Sequence, residues 1–488
     1  MQTVAKGQNK LYLLTPDASW QCHLLTNKQN LLPYSSKANL EIQSLLEVAS
    51  LFMTRKVIMK IKQTVMAIGM LIALPLAAYA QSTLSLDKAL SLAVQRSKQL
   101  EAHDAAGKAA QEMGAAAGEL PDPVLKLGIN NLPLDGPDRF NLTRDFMTMR
   151  SIGVMQEFTR DDKRKARINR FEKERELASA NRNLTANNIR RSTAVAWLDV
   201  YYQNRIFEVL LRQRDEAKLQ IETSEAAYRG GRGSLNDAYA ARTAVVQIED
   251  RIAMAELQVS TSKIHLKRWV GDVGAFALDL PPLMDRVVFT EEHLDTQLLH
   301  HPQIAVMQSQ EVVAQADTDL ALANKKADWT VEIMLNQRGS AYSNMASINA
   351  SIPWQWDTKN RQDREVSAKL ATLDQLRAER ADAIRNHITE INAMLQEWHS
   401  NRARLRKYDD TILPLAKERT SAALAAYRGG AAAASTISVV LEARRMEVDV
   451  QLERLRLDME TARLWAQLNY QNTYIGGEQT PLPNKELK

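Results

Sequence analysis

Residues 227–242 read AYRGGRGSLNDAYAAR, and residues 426–444 read AYRGGAAAASTISVVLEAR. In both copies, helix-forming residues lead to Ala-Tyr-Arg, two glycines follow, and helical spacing resumes within a few residues. Paired glycines suit a tight reversal because they adopt positive φ without steric cost and can end a helix. The second copy carries about three extra residues within 431–434. We therefore expect two long helical hairpins, arranged as a tandem repeat.

The composition of the chain also favours long helices. Its 488 residues include only 18 glycines and 6% aromatic residues, and the formal net charge is +5. A sequence rich in Ala, Leu, Glu, Gln and Arg is typical of helical structure. Arg and Glu are interspersed along the helical stretches, which indicates solvated helix faces rather than a nucleic-acid surface. We expect no nucleic-acid partner.

The segment 59–80 has the features of a secretory signal peptide. It begins with two lysines, continues with an apolar run too short to span a bilayer comfortably, and ends in Ala-Tyr-Ala before Gln81. Residues 1–58 have no periodic pattern, and we interpret them as a doubtful N-terminal extension from a start codon assigned too early. Cys22, the only cysteine, lies in that extension. We therefore expect a mature chain without disulfides and without a lipid anchor.

Each half of the mature chain reads as helix, strand, strand, long helix, hairpin tip and helix. Four segments alternate apolar and polar residues as strands with one apolar face do, at Val124–Asn130, Met149–Phe158, Trp329–Asn336 and Met345–Trp354. The helices before and after them are expected at 84–118, about 163–228, 293–323 with an interruption near Pro302, and 361–412 with a kink or new start at Pro414. The two repeats then span 81–282 and 283–475, and a polar tail covers 476–488.

The returning helix of each hairpin carries an apolar stripe with alternating spacings of four and three residues. Examples are Ala241, Val245 and Ile248 in the first copy, and Val448, Leu452 and Leu455 in the second. This 3.5-residue period is typical of left-handed coiled coils. We interpret the stripes as packing seams.

The number of predicted strands bears on where the protein resides. Four strands leave unpaired edges in an open sheet, and in a bilayer every backbone group must be satisfied internally. An exported protein with strands of this length meets that condition when several copies share one barrel.

Three sets of residues carry a resemblance to a known family. LPDPVLKLGINNLP (120–133), GVMQEFTRDDKRKAR (153–167) and the two AYRGG tips resemble the TolC-like outer-membrane factor family. The first two motifs resemble its heavy-metal branch, the outer-membrane components of cobalt–zinc–cadmium type efflux systems. The resemblance extends across the whole mature chain.

The resemblance implies a mainly α fold with a small β part, assembled as a homotrimer. Four strands per protomer would form a twelve-stranded outer-membrane β-barrel, and twelve helices a long α-barrel across the periplasm. The segments near 84–118 and 293–323 and the C-terminal tail would form a belt around it. Such proteins are exit ducts that dock onto a periplasmic adaptor protein, which connects them to a proton-driven inner-membrane pump of the resistance-nodulation-division type.

The resemblance also assigns functional residues. The adaptor-contact tips would comprise Tyr228, Arg229, Gly230, Gly231, Gly233, Ser234 and Leu235 in the first copy, and Tyr427, Arg428, Gly429 and Gly430 in the second. Asp237 and Glu442 are candidates for a periplasmic gate, although the acidic ring of some relatives has no clear match in this sequence.

Other motifs have simpler interpretations. His300 and His301 precede Pro302, but the remaining histidines are dispersed, and zinc sites need three or four converging ligands. Trp354 and Trp356 either belong to an aromatic girdle at a membrane interface or pack against neighbouring helices. The sequence contains none of the common nucleophile, nucleotide-binding or metalloprotease motifs. We expect no enzyme activity, no cofactor and no resident metal.

Three functions remain open at this stage. The first is an outer-membrane channel that exports heavy-metal cations. The second is a duct of the same class for drugs or for a type I secreted protein. The third belongs to a different class, a soluble periplasmic coiled-coil scaffold without a pore.

Overall fold

Long helices and one small sheet make up the part of the chain that the structure describes. This computed structural model describes residues 83–231, 233–272, 277–289, 301–429 and 437–470. The expectations for the extension 1–58, the signal peptide 59–80, Gly430 and the tail 476–488 concern residues outside these ranges.

The helices and strands follow in an order close to the expected one. They are α1 Leu86–Gln95, α2 Lys98–Gly118, β1 Val124–Asn130, β2 Met149–Phe158, α3 Asp161–Arg229, α4 Leu235–Val270, α5 Pro302–Asn324, β3 Trp329–Gln337, β4 Met345–Ser351, α6 Gln362–Lys407, a π-helical turn Tyr408–Ile412, α7 Leu413–Gly429 and α8 Ile437–Asn469.

The single helix expected over 84–118 is wrong, because two helices occupy that segment. Ser97 takes an extended conformation between them, and its hydroxyl accepts a hydrogen bond from the Leu100 N–H at 3.3 Å. Ser85 caps the preceding helix in the same way, through the Lys88 N–H. A serine that satisfies a free N–H of the first turn favours a new helix start at that point.

The helix expected over 361–412 changes to a π-helical turn in its last five residues, and the new start expected at Pro414 is confirmed. Regular α-helix ends at Lys407, a π-helical turn covers Tyr408–Ile412, and α7 begins at Leu413. Pro414 lies in the first turn of α7. Because proline has no N–H and its ring crowds the preceding turn, it interrupts the regular i to i−4 pattern upstream.

Helix α3 is the central element of the helical part. Its 69 residues would extend about 100 Å at 1.5 Å per residue. It packs against α2, α4, α5 and α8. Two adjacent aspartates occupy its first turn, where the positive end of the helix dipole favours acidic side chains.

The largest hydrophobic cluster surrounds Trp197 of α3, whose side chain is fully buried. Leu198, Leu266, Ile391 and Leu468 pack in the same cluster, so that α3, α4, α6 and α8 all contribute to it. The Trp197 indole N–H donates to the Leu84 carbonyl at 2.9 Å. A second cluster around Ile206, Val209 and Leu452 continues the seam. The stripes expected on α4 and α8 are thus packing positions.

The four strands form one antiparallel sheet in the order β1-β2-β3-β4. Strands β1 and β2 have the expected bounds, whereas β4 ends at Ser351 rather than Trp354. Pro353 follows this end, and proline cannot donate a hydrogen bond to a ladder. In register, Leu125 faces Val154, Val154 faces Ile333, and Ile333 faces Ile348.

The two faces of the sheet differ in polarity and in exposure. The face that we call the apolar face carries large side chains that are 48–75% exposed: Leu125, Leu127, Ile129, Ile152, Val154, Ile333, Leu335 and Ile348. The opposite face, which we call the polar face, carries Lys126, Ser151, Glu332, Asn336 and Ser347, and all five are buried or partly buried. The distribution of polarity is therefore the reverse of that in a soluble protein, where the apolar face is the covered one.

Within the described residues, none of the helices combines the length and the apolar character that crossing a bilayer requires.

Candidate functional site

The first hairpin tip is a five-residue reversal, 230–234, between α3 and α4. The Gly230 N–H donates to the Ala226 carbonyl at 2.9 Å, and the Gly231 N–H donates to the Tyr228 carbonyl at 3.0 Å. Gly231 has φ +70°, a conformation that glycine adopts without the penalty that a Cβ incurs. A Cβ at Gly233 would lie 3.1 Å from the Ala227 Cβ. The sequence pattern thus has a geometric basis at two of its glycines.

The start of α4 is fixed by a capping box. The Ser234 hydroxyl accepts from the Asp237 N–H at 3.1 Å, and the Asp237 carboxylate accepts from the Ser234 N–H at 3.0 Å. Each side chain satisfies one free N–H of the helix terminus. The residues of the tip therefore divide into two groups, those that shape the turn and those that are presented to solvent.

The presented side chains of the first tip are Tyr228, Arg229 and Leu235. Tyr228 is 47% exposed, Leu235 is 48% exposed, and Arg229 is also exposed. An aromatic ring, a guanidinium and a branched aliphatic side chain together offer stacking, hydrogen bonding and apolar contact. These are chemistries with which one helical hairpin can recognise another.

The second tip is described up to the end of α7. Arg428 and Gly429 are exposed and Tyr427 is partly buried. Nothing lies within 4 Å of a Cβ placed on Gly429. Gly430 and the extra residues 431–434 lie outside the described part of the chain.

The two candidate gate residues have different surroundings. Asp237 belongs to the capping box described above. Glu442 is exposed on α8 and lines a groove of about 480 Å³ together with Tyr239 of α4, Arg445 of α8 and residues of α3. Asp237 is not among the residues that line this groove. The structure thus gives Asp237 a local role in shaping α4, which the sequence pattern Ser-x-x-Asp could have indicated.

Hydrogen bonds organise the polar face of the sheet, which sequence reasoning did not single out. The Lys126 ammonium lies 2.8 Å from the Glu332 carboxylate, so that this ion pair joins β1 to β3 across β2. The Asn336 amide donates to the Ser347 hydroxyl at 3.0 Å. The sequence could have indicated this polar face, because its residues occupy the strand positions that alternate with the apolar ones.

A cluster of charged residues fixes the π-helical turn, and the sequence gave no indication of it. Arg454 of α8 donates to both carboxylate oxygens of Asp409, at 2.9 and 3.2 Å, and to Asp458 at 2.8 Å. The Tyr202 hydroxyl hydrogen-bonds to the Asp458 carboxylate as well. Burial raises the pKa of the Asp458 carboxyl above its usual range, although Arg454 and Tyr202 act in the opposite direction.

Of the two histidines next to Pro302, His301 has a structural explanation, and His300 lies outside the described residues. The His301 Nδ1 accepts from the Gln303 N–H at 3.3 Å at the start of α5, and the His301 ring lies 4.6 Å from the His387 ring. Burial, with contributions from His387 and Arg191, lowers the pKa of His301 to about 4. A neutral ring suits its role as a hydrogen-bond acceptor. Across the described ranges, no group of three or more His, Cys, Asp or Glu residues could hold a metal ion.

Comparisons with known proteins give a result at the level of structure only. No protein-family model matches the sequence, and no curated protein matches it. Among solved structures, the outer-membrane channel OprN aligns with a TM-score of 0.65 and 14% identity, and the match covers 79% of this chain and 90% of OprN.

Two further outer-membrane protein structures align to a similar extent. The outer membrane protein VceC from Vibrio cholerae aligns with a TM-score of 0.62 and 18% identity, covering 78% of this chain and 94% of VceC. The CmeC outer membrane channel from Campylobacter jejuni aligns with a TM-score of 0.65 and 12% identity, covering 78% and 84%. The chain has the fold of an outer-membrane channel protomer.

The channel fold gives a context to the sites described above. It combines a small sheet with long helical hairpins, and both parts are present in this chain. Two surfaces are therefore the candidates for functional contacts: the apolar face of the sheet and the exposed first hairpin tip.

Proposed function

We propose that the chain is the outer-membrane channel of a tripartite efflux system and exports heavy-metal cations. The protein resides in the outer membrane and extends into the periplasm. It acts as a homotrimer, and its hairpin tips contact a periplasmic adaptor protein that connects it to a proton-driven inner-membrane pump of the resistance-nodulation-division type.

The observation that carries this proposal is the reversed polarity of the sheet. Eight large apolar side chains on one face are about half to three-quarters exposed, while the polar face is hydrogen-bonded and partly covered. Exposed apolar surface of this extent is unfavourable in water and favourable against lipid. A transmembrane β-barrel has this distribution, with apolar residues outside and polar residues inside.

The edges of the sheet support assembly from several copies. Strands β1 and β4 are its two edges, and each has a partner on one side only. In the chain order β1-β2-β3-β4 with antiparallel neighbours, β4 of one copy is antiparallel to β1 of the next. Three copies would give a closed twelve-stranded barrel and leave no free edge.

The helical part supports the periplasmic assignment and the tandem repeat, 81–282 and 283–475. Each proposed half contains one or two helices, two strands and a helical hairpin in that order. Helix α3 is long enough, at about 100 Å, to carry its tip far from the sheet. An adaptor would meet Tyr228, Arg229 and Leu235 at that tip.

The cargo proposal rests on the two motifs that resemble the heavy-metal branch. Some of their residues have roles in the fold. Lys163 is buried and pairs with Asp328 at 2.5 Å, which connects the start of α3 to the start of β3. Gly153 lies against Met334 and the Ile333 carbonyl, where a Cβ would clash. The nature of the cargo therefore requires a direct test in cells.

The first experiment is growth of a deletion strain, with and without the restored gene, on salts of zinc, cobalt, cadmium, nickel, copper and silver and on common drugs and detergents. We expect sensitivity confined to certain metals, with recovery when the gene returns. Sensitivity to drugs without a metal effect would agree with a channel and contradict the metal cargo. The cargo would then be a drug or a type I secreted protein.

The second experiment tests the membrane sheet with two adjacent residues of β4 that occupy opposite faces. Ile348→Lys places a charge on the apolar face, where it costs about 2–4 kcal/mol near the bilayer centre. Asn349→Lys places the same charge on the polar face and serves as the matched control.

The readout is migration of heated and unheated outer-membrane fractions on a gel. We expect a heat-sensitive trimer band for the native chain and for Asn349→Lys, and a strongly reduced band for Ile348→Lys. A soluble scaffold predicts recovery of all three proteins in the periplasm, and it predicts little effect of Ile348→Lys because Ile348 is already 75% exposed.

A further inference from the structure

The polar face of the sheet carries thioethers among its polar side chains. Met155 of β2 faces Glu332, and Met334 lies two residues further along β3 on the same face. Met334 in turn faces Ser347, and Met345 lies two residues away on β4. Diagonal neighbours of this kind lie about 7–8 Å apart, within the reach of long side chains. We call Met155, Met334 and Met345 the thioether line.

The thioether line covers the middle of the sheet, from the level of Glu332 on β3, opposite Met155, to the level of Asn336, opposite Met345. Met155 lies near the end of β2 that leads into α3, and Met345 is the first residue of β4, after the loop from β3. Met149, at the start of β2, is a further thioether on the polar face. Met149, Met155 and Met334 are partly buried, and Met345 is 47% exposed.

Gly153 makes room for the middle member of the line. A Cβ at Gly153 would lie 2.5 Å from the Met334 Cγ and 2.7 Å from the Ile333 carbonyl oxygen. The Met334 side chain therefore occupies the space that a side chain at position 153 would fill. The Met334 side chain thus lies over β2. The next residue of β2 on the same face, after Gly153, is Met155. A larger residue at 153 would displace the thioether from this strand.

The charged groups beside the line neutralise each other. Glu332 lies opposite Met155, and its carboxylate is paired with the Lys126 ammonium at 2.8 Å. The four strands contain no histidine and no cysteine. Besides the Lys126–Glu332 pair, the metal-ligating groups on this face are the thioethers and one further carboxylate, Glu157, two residues beyond Met155 on β2.

Thioethers are soft ligands. They bind Cu(I) and similar soft cations well, whereas zinc, cobalt and nickel favour imidazole, carboxylate or thiolate ligands. One thioether per position holds an ion weakly, which suits passage from one position to the next rather than storage.

We infer that the thioether line is a contact path for soft monovalent cations, Cu(I) or Ag(I), along the polar face of the sheet. This inference rests on the proposed function, because it names the class of cation within the heavy-metal cargo.

The direct test is a titration of the purified full-length chain with silver nitrate in chloride-free buffer, followed by NMR of methionine methyl groups labelled with carbon-13. We expect Ag(I) to shift the methyl signals of Met155, Met334 and Met345, and the same concentration of Zn(II) to leave them unchanged. Signals of Met113, Met254 and Met446, exposed on helices, are the internal control. Equal shifts of both sets, or none on the line, would overturn the inference.

The cellular test uses the triple variant Met155→Leu, Met334→Leu, Met345→Leu. Leucine is close to methionine in volume, so the exchange removes the sulfur with little change in packing. We expect a several-fold loss of silver tolerance and unchanged zinc tolerance in the restored deletion strain. The control variant Met113→Leu, Met254→Leu, Met446→Leu should restore silver tolerance fully. Heat-sensitive gel migration shows that each variant assembles.

The outcomes separate this inference from the proposed function. A deletion strain without any metal sensitivity contradicts the metal cargo itself. A strain sensitive to silver or copper, restored fully by the triple leucine variant, contradicts only the thioether line. Sensitivity limited to zinc, cobalt, cadmium or nickel also contradicts the thioether line and leaves the efflux proposal in place.

Discussion

The first helical hairpin pairs two uninterrupted helices. The second contains a π-helical turn in its outgoing arm, which is the arm that leads to the tip. Helix α3 continues regularly for 69 residues to the first tip. In the second hairpin, α6 stops at Lys407, and α7 covers the last 17 residues before the tip. Similar tip sequences thus stand at the ends of two different arms. A π-helical turn within a helix often marks a functional position.

The packing of the two arms differs as well. Helix α3 contacts α2, α4, α5 and α8, while α7 packs mainly on α8 within the described residues. At the π-helical turn, ion pairs take the place of this packing. The Arg454 guanidinium of α8 joins Asp409 of that turn to Asp458 of its own helix. The comparison teaches that the first arm is packed along its length, whereas the second arm is packed along α6 and is fixed by a compact polar cluster at the break before α7.

Replacing Arg454 should have the largest effect on this difference. In Arg454→Gln, Asp409 loses its bidentate partner, and the largely buried Asp458 loses its cation. Removing one partner of a fully buried ion pair costs about 3–5 kcal/mol, and we expect about 3 kcal/mol because Asp409 can hydrate. The measurement is thermal unfolding of the purified protein, followed by circular dichroism.

Arg242→Gln in the first hairpin is the matched control. Arg242 pairs with Glu225 at 2.6 Å across the first hairpin, but its side chain is more than half exposed. Exposed pairs contribute little to stability, because water and dissolved ions screen them. Equal losses of stability in the two variants would contradict the assignment of Arg454 as the residue that fixes the π-helical turn.

The second prediction compares the buried tryptophans of the two outgoing arms. Trp197 of α3 is fully buried and donates to the Leu84 carbonyl, whereas Trp398 of α6 is 3% exposed and its N–H has no partner among the described residues. Trp197→Phe and Trp398→Phe remove the same volume. Only the first change removes a hydrogen bond, because the Leu84 carbonyl then keeps only the longer bond from the Asp279 N–H at 3.4 Å; we expect a cost of about 1–3 kcal/mol.

We therefore expect Trp197→Phe to lower the free energy of unfolding by about 2 kcal/mol more than Trp398→Phe does. Urea unfolding of the two purified variants under identical conditions gives this difference directly. A larger loss of unfolding free energy for Trp398→Phe would contradict this prediction and would show that the Trp398 N–H makes a hydrogen bond of its own.

Much of the fold followed from local sequence patterns. The bounds of β1 and β2 were predictable because alternation runs from Val124 to Asn130 and from Met149 to Phe158, with loop residues outside them. Helix α3 was predictable because no proline or glycine interrupts it. The exposure of residues such as Tyr228 at the first tip also followed from the position of the two glycines.

The rest depended on contacts between residues distant in sequence. Arg454 lies 45 residues from Asp409, and Lys163 lies 165 residues from Asp328. Neither pair leaves a periodic signal in the sequence. The helix start at Ser97 was missed for a different reason. The surrounding residues all favour helix, and the decisive event is a single side-chain hydrogen bond that local propensity does not specify.

The third and smallest effect concerns the glycines of the two tips. Gly231 has φ +70°, so Gly231→Ala should cost about 1–2 kcal/mol in the first tip. Gly429 is the last residue of α7 and has open space around it, so Gly429→Ala should favour the helix by up to about 1 kcal/mol. Amide hydrogen exchange measures both as local opening: protection should fall near the start of α4 in the first variant and rise at the end of α7 in the second. Loss of protection in both variants would mean that the second tip demands a glycine conformation as the first does, and the two tips would then be equivalent despite their different arms.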